Sequence, residues 1–337
     1  MIGYGKQSLN EKEISAVINV LKNDFLTQGP KILEFEKLLK SKFGSKYCSV
    51  VSSGTAALHL AGMALGWKEK NIVITTPLTF LASSNSILYC NAEPFFVDID
   101  ANTCCIDIDK LEYSIKKLKK NNKIIKSIIG VDFAGLPCDW ESINYLSKKY
   151  NLTLINDNCH AIGASLNNNF AYASKYADIV THSYHPVKNI TTAEGGSVFS
   201  NNLKIDKKIK LLRNHGLLRD ISKQKINGRW FSEMLELGYN YRLTDLQAAI
   251  GIVQIKKLDS FIKKRKKIAN YYNKIFKQYE EFKIPLNNDS FGHAYHLYVL
   301  KFNFKKNKKN KKNFFNFMFS KGINLQVHYK PVHLNPF

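Results

Sequence analysis

Apolar residues at Ile14, Val17, Ile18 and Leu21 recur every three to four positions, behind an Asn10 followed by Glu13. That spacing predicts an amphipathic helix with a capped start and those four residues on one face. Ile32, Phe35, Leu38 and Leu39 repeat the period and predict a second helix. From Tyr47 the pattern changes. Short runs at 48–51, 72–75, 94–97, 124–131, 152–156, 179–182 and 197–200 predict strands. Helical patterns at 55–65, 80–88, 110–119 and 140–150 lie between the earlier runs. Strands alternating with helices predict an α/β protein, with a mainly parallel central sheet and helices on both faces.

After Arg242 the texture shifts. Residues 244–258 and 260–280 read as two long lysine-faced helices, 295–304 as an aromatic strand, 314–318 as an amphipathic segment and 323–329 as a strand. These predict a large domain over 1–250 and a smaller α+β domain over 251–337.

Composition narrows the function classes. An apolar fraction of 45% with 12% aromatics is ordinary for a globular chain with a large core. No apolar run approaches the length of a membrane span, and Met1-Ile-Gly-Tyr-Gly-Lys6 lacks the apolar stretch of a secretory signal. The six cysteines show neither a CxxC pair nor zinc spacing, so a reduced, cytoplasmic protein without a metal is expected. A net charge of +23 raises the question of nucleic acid. Its densest part, Lys301 to Lys312, interleaves lysine with asparagine and carries no RNA- or DNA-binding motif. It reads as a solvated loop, and the positive field suits an anionic small substrate.

The candidate chemistry sits at strand ends, where ligands of parallel sheets bind. Lys188 lies in Ser183-Tyr-His-Pro-Val-Lys188, between two strand-like segments and before the small-residue run Thr191 to Gly196. Burial among small residues lowers an amine's pKa and makes it a usable nucleophile and base. Upstream, Asp157 ends an apolar run, and a carboxylate there suits a protonated pyridine nitrogen. The turn Ser52-Ser53-Gly54-Thr55 opens a helix and offers free backbone N–H groups to a phosphate. Each of these has a plainer reading when taken alone. The turn is also an ordinary strand-to-helix connection, and Asp157 also a strand-end cap. His160 also reads as a core histidine and Phe80 as a core aromatic.

Taken in order, the motifs resemble the DegT/DnrJ/EryC1/StrS family of sugar-nucleotide aminotransferases. The resemblance rests on Leu26-Thr-Gln-Gly29, Ser53-Gly-Thr55, Pro77 to Phe80, Asp157 to His160, Ser183 to Lys188, Glu194-Gly-Gly196, Asn214-His-Gly216, Gly238 to Arg242 and Val327-His-Tyr-Lys-Pro331. It implies a fold type I aminotransferase and pyridoxal 5'-phosphate as cofactor. Lys188 would be the Schiff-base lysine, Asp157 the partner of the pyridine nitrogen and Phe80 the stacking ring. His160 would sit near the phenolic oxygen. Gly54, Thr55 and Ser183 would hold the phosphate, together with Asn240 from a neighbouring subunit, so that a homodimer shares its sites. Thr27, Gln28, His328 and Tyr329 would contact substrate; their plainer readings are loop-turn residues and a sheet edge.

Within the family, Val131-Asp-Phe-Ala-Gly135, Ile190 to Gly196 and Gln326 to Pro331 are most similar to enzymes of pseudaminic acid type biosynthesis. The implied reaction is transamination of the C4 ketone of a UDP-linked 4-keto-6-deoxy-N-acetylhexosamine, with L-glutamate as donor. Another UDP- or dTDP-ketosugar, or a non-catalytic regulatory role, are the alternatives. A pyridoxamine-dependent dehydratase would carry histidine in place of Lys188. Family members continue for some tens of residues past the segment matching His328 to Pro331, so the small domain is expected to be incomplete.

Overall fold

The computed structural model describes residues 1–22, 25–286, 290–305 and 310–337. The chain opens with α1 (Glu11–Lys22) and α2 (Pro30–Phe43), then alternates β1 (Tyr47–Val51), α3 (Gly54–Ala64), β2 (Asn71–Thr75), α4 (Leu81–Tyr89) and β3 (Glu93–Phe96). There follow α5 (Ile108–Lys120), β4 (Ile124–Val131), α6 (Trp140–Tyr150), β5 (Thr153–Asp157) and the short β6 (Ser165–Leu166) and α7 (Tyr172–Tyr176). The main sheet is completed by β7 (Ile179–Ser183) and β8 (Gly196–Ser200), in the order β1-β8-β7-β5-β4-β2-β3. Neighbours from β7 to β3 pair parallel, while β8 runs antiparallel to both β1 and β7. The mainly parallel sheet expected from the pattern is therefore present, with one reversed strand inserted.

Alternation along each strand explains the two-sided core. Val50, Ile72, Ile74, Ile128, Leu154, Val180 and Phe199 face one layer with α2, α5 and α6. Val51, Val73, Ile129, Ile155, Ile179 and Val198 face the other, with α3, α4 and α8 (Leu203–Leu212). Strands buried on both faces read as continuous apolar runs, which is why they were visible in the sequence. Gly251 lets α2 approach closely, because a Cβ there would stand 2.7 Å from Phe35 Cε1.

The remaining elements are a β9–β10 pair (Leu217–Leu218 and Glu233–Met234) around α9 (Ile221–Asn227), and the long α10 (Asp245–Phe276). The chain finishes with β11 (Phe282–Lys283), β12 (Phe291–Gly292), β13 (Lys301–Phe302) and α11 (Lys311–Ser320). Here several expectations are corrected. The two helices expected at 244–258 and 260–280 are one, because Asp259 and Ser260 keep their backbone donors and no proline or glycine interrupts the turn. Asp259 is instead paired with Lys42 at 2.7 Å. This helix crosses residue 250 unbroken. Of the aromatic stretch 295–304, only Lys301–Phe302 is a strand. Its start is held irregularly, with Ala294 N–H donating to Gly135 O and Leu297 N–H to Ala134 O. The 323–329 segment is not a strand; its pairing is limited to a bridge between Ile323 and Ile2. Residues 306–309 of the lysine run lie outside the described residues.

The first helix forms with its expected cap, Asn10 N–H donating to Glu13 Oε2 at 3.0 Å, and its apolar stripe is turned away from the core of this chain. Glu13 and Val20 are buried against α10, whereas Ile14, Ile18 and Leu21 are 48%, 42% and 58% exposed. The reason is electrostatic. Lys257 Nζ reaches both Glu13 oxygens at 2.6 and 2.7 Å, and Gln254 Nε2 donates to Oε1 at 2.7 Å. Burial pushes the Glu13 carboxyl up, but these bonds outweigh it and leave its pKa below the ordinary value.

A depressed folded-state pKa means that the Glu13 contribution is present above the unfolded value and is lost as pH falls through the folded one. Glu13→Gln is expected to destabilise by ~2 kcal/mol at pH 7. In urea unfolding, the gap between wild type and variant should close progressively below about pH 4, under the usual glutamate pKa. A gap that persists unchanged in acid would refute the assignment.

Candidate active site

The carboxyl ends of β1, β5 and β7 meet at one edge of the sheet. Gly196, the first residue of β8, pairs with both Val51 and Ser183, which draws those two strand ends together. Past Val51, Ser53 caps α3 by accepting from Ala56 N–H at 3.0 Å. The first N–H groups of the helix, at Gly54 and Thr55, have no intrahelical acceptor and point outward with the positive end of the dipole. Gly54 is required here, because a Cβ would stand 2.7 Å from the Ser183 Cβ and 3.3 Å from Cys159 Sγ. Gly54, Thr55 and Ser183 thus stand together as one small-residue cradle at the opening of α3.

Asp157, the last residue of β5, is buried and accepts from Ser83 Oγ at 2.7 Å and from Cys159 N–H at 3.3 Å. Ser83 is in turn 2.7 Å from Thr79 Oγ1. Lys188 follows β7 in a tight turn, its N–H donating to His185 O at 2.8 Å. The loop around it is tied down on each side. Asn189 Nδ2 donates to Ile162 O at 2.9 Å, and Thr191 Oγ1 donates to Tyr184 O at 2.9 Å. Lys188 is half-buried at the surface of the site. Burial pushes its amine below the ordinary value, opposed by the charges of Cys159 and Asp157.

His160 stands beside this pair. Its Nδ1 accepts from Ala134 N–H at 3.4 Å, and its Nε2 lies 3.1 Å from the Tyr329 hydroxyl. Burial, then the charges of Lys188 and His328, hold its pKa well below the usual value, so the ring is neutral. Ala134 takes its place from the turn after β4, where Asp132 is fully enclosed by donors. Asp132 Oδ1 accepts from Cys138 N–H and Trp140 Nε1, and Oδ2 from Tyr172 Oη, Asn156 Nδ2 and Asn158 Nδ2. This hub joins β4, β5 and α6 beneath the site.

The structure brings together Lys188, Asp157, His160, His328 and Tyr329 next to the Gly54 cradle. Phe80 lies at the rim, 54% exposed, with its ring 6.0 Å from Tyr329. Thr27 and Gln28 do not join that group within one chain. Thr27 bridges to Thr244, and Gln28 lines a concavity of about 520 Å³ with Arg213, Asn214 and Arg242, whose lining excludes Lys188 and Asp157. Asn240 is exposed and bridges to Asn214. Its neighbour Tyr241 accepts from Ser52 N–H at 2.9 Å, which sets that segment beside the cradle.

Three site residues were missed from sequence. Ser83 was detectable as part of a small polar run, Ser83-Ser-Asn-Ser86, on a helix with an otherwise apolar inner side. His296 packs 4.5 Å from His160, and Tyr4 lies 5.3 Å from His328. Nothing in their local sequence distinguishes them from core and tail residues.

Because the Lys188 amine is depressed by burial and raised by Asp157, the two effects can be separated. After ¹³C reductive methylation, the Lys188 signal is expected to titrate at lower pH than the surface lysines, and Asp157→Asn to move it lower still. Co-titration of Lys188 with the surface lysines would contradict the burial assigned to it.

Comparison with known proteins fits this geometry. The family model for DegT/DnrJ/EryC1/StrS aminotransferases matches residues 7–337. A Campylobacter jejuni UDP-4-amino-4,6-dideoxy-N-acetyl-beta-L-altrosamine transaminase is 43% identical over 333 residues, covering 99% of this chain and 85% of that protein. Among solved structures, Helicobacter pylori PseC, an aminotransferase involved in the biosynthesis of pseudoaminic acid, superimposes with a TM-score of 0.88 at 33% identity, over 99% of this chain and 86% of that one. A DegT DnrJ EryC1 StrS aminotransferase from Brucella abortus gives 0.86 at 25% identity, over 96% and 83%. With a strand-end lysine and carboxylate beside a helix-opening cradle, and with family similarity along nearly its whole length, the chain belongs to the DegT/DnrJ/EryC1/StrS aminotransferase family.

Proposed function

We propose that this protein is a pyridoxal 5'-phosphate-dependent aminotransferase acting on the C4 ketone of a UDP-linked 4-keto-6-deoxy-N-acetylhexosamine, with L-glutamate as donor. The observation that carries the chemistry is the half-buried Lys188 amine facing the same site as the buried Asp157 carboxylate. The sugar is suggested by the similarity to the Campylobacter jejuni UDP-4-amino-4,6-dideoxy-N-acetyl-beta-L-altrosamine transaminase and to the Helicobacter pylori aminotransferase involved in pseudoaminic acid biosynthesis.

The residues fit the cofactor. The Gly54 cradle accepts a phosphate where no side chain intervenes, and Asp157 supplies a carboxylate that already holds two donors. When bound, pyridoxal phosphate supplies an electron-accepting ring through which an amino group passes from donor to ketone. Gly54, Thr55 and Ser183 hold its phosphate, and Asp157 keeps the ring nitrogen protonated. Phe80 covers the ring face. Lys188 Nζ would take up and pass on the proton of the donor's Cα within the first half-reaction and would deliver one to the sugar's C4 in the second, its lowered pKa keeping more of it in the basic form. His328 and Tyr329, which stand beside Lys188, contact the nucleotide sugar.

A homodimer belongs to the same reading, with Asn240 of one protomer completing the site of the other. Exposed Ile14, Ile18 and Leu21 on α1, Leu33 on α2 and Leu237 before Asn240 support an apolar contact between copies. A cytoplasmic setting is supported by six cysteines that are all free. Among the described residues no helix is long and apolar enough to cross a membrane.

Purified protein with pyridoxal phosphate is expected to convert a UDP-4-ketosugar and glutamate to the 4-aminosugar and 2-oxoglutarate. Lys188→Ala should lose at least about 10³-fold and Asp157→Asn about 10²-fold, both with native circular dichroism. Turnover of dTDP-sugars alone would overturn the substrate, and full activity in Lys188→Ala the mechanism. The shared site has its own test. Neither Lys188→Ala nor Asn240→Ala should be active alone, yet co-refolded mixtures should regain activity through hybrid dimers. Mixtures as inactive as the parents would remove Asn240 from the neighbouring site.

A further inference from the structure

Tyr329 and His160 form a hydrogen bond whose direction is decided elsewhere in the fold. Ala134 N–H points at His160 Nδ1 from 3.4 Å, and a backbone amide can only donate. Nδ1 must therefore offer a lone pair. Were the proton on Nδ1, two N–H groups would meet head to head in a buried place, at the cost of an unsatisfied donor on each side. A neutral ring with a bare Nδ1 carries its proton on Nε2. That nitrogen is 3.1 Å from the Tyr329 hydroxyl, so the bond runs from His160 to Tyr329.

The consequence falls on the tyrosine. Its oxygen accepts from His160, so its own proton has to turn away from the ring. Phe80, Phe133 and His328 surround it with their rings at 6.0, 6.3 and 4.8 Å, and the Asp157 carboxylate is near enough to act on it. The hydroxyl proton is thus presented into the site that contains Asp157. Burial raises the phenol's pKa, so the proton stays on the oxygen at neutral pH.

We infer that His160 is a positioning residue for Tyr329: the Ala134 amide selects its Nε2–H tautomer, and that N–H aims the Tyr329 hydroxyl as a donor at an acceptor oxygen of the bound sugar or cofactor. His160 Nε2 is engaged in this contact, and Tyr329 becomes the group that meets the ligand. The acceptor half of this inference rests on the proposed aminotransferase reaction; the bond direction does not.

The direction is tested on protein without cofactor or sugar. In ¹⁵N-histidine-labelled enzyme, the signal missing from His160→Gln is expected in the Nε2–H form at neutral pH; an Nδ1–H or doubly protonated ring would overturn the inference. The acceptor is tested with Tyr329→Phe. If it is a cofactor oxygen, the pH midpoint of the visible absorbance with pyridoxal phosphate alone shifts by about one unit. If it is a sugar oxygen, that midpoint stays and kcat/KM for the ketosugar falls about tenfold, the scale of one lost hydrogen bond. If Tyr329→Phe produces neither change, the donor role is overturned. Positioning is separated from packing by a cycle. His160→Gln, which keeps a donor, should stay within about threefold of wild type, whereas His160→Ala should match Tyr329→Phe and the double variant should be no worse. Additive losses would mean that His160 acts apart from Tyr329. Absence of turnover on every ketosugar would sink the proposed function while leaving the tautomer result readable.

Discussion

The pairing of Gly196 with both Val51 and Ser183 holds the active edge of this protein together. A parallel sheet alone would leave the ends of β1 and β7 separated by crossover connections. The reversed β8 lies between them and hydrogen-bonds to each, so the turn opening α3 stands beside the residues leading to Lys188. A side chain at Gly196 would collide with the Ser53 backbone, and one at Gly54 with Ser183. Two glycines on facing segments permit an approach that no other residue type would allow.

Around that edge, polarity is arranged by burial. Lost hydration lowers the pKa of the Lys188 amine and favours its neutral, nucleophilic form, while the nearby Asp157 carboxylate works against that shift. His160 and His296 are kept neutral by the same burial, with the Lys188 charge acting on both. The site therefore sets one amine and one carboxylate among uncharged imidazoles and phenols. Below it, Asp132 is buried too, and burial raises its pKa against the donors that surround it. Five hydrogen bonds converge on that carboxylate and connect β4 and β5 to α6. The Ala134 amide, on which the state of His160 depends, stands two residues beyond it.

Much of this was readable in advance, for particular reasons. Strands such as Ile72 to Thr75 and Ile128 to Val131 are apolar on both faces, and that signal survives any tertiary arrangement. Lys188, Asp157 and the Ser53-Gly54-Thr55 turn were readable because each follows a strand end, where backbone geometry alone brings loops together. The inward face of α1 was not. Periodicity assigns apolar residues inward, but Glu13 found Lys257 and Gln254 on a helix more than two hundred residues away, and the ion pair set the rotation. The break assumed between 258 and 260 failed similarly: Asp and Ser weaken a helix only slightly, and the contacts of α10 with α1 and α2 exceed that preference.

Local chemistry thus specified the α/β alternation, the strand-end lysine and carboxylate, and the helix-opening cradle, since each depends on neighbours along the chain. The reversed strand, the rotation of α1, the irregular path of 293–297 and the contact between His160 and Tyr329 came from the folded arrangement. These rest on hydrogen bonds and charge pairs between residues far apart in the chain, whose partners no local pattern can name. The tautomer of His160 is the clearest instance: it is set by one amide from another strand's turn, and it determines what Tyr329 offers to the ligand.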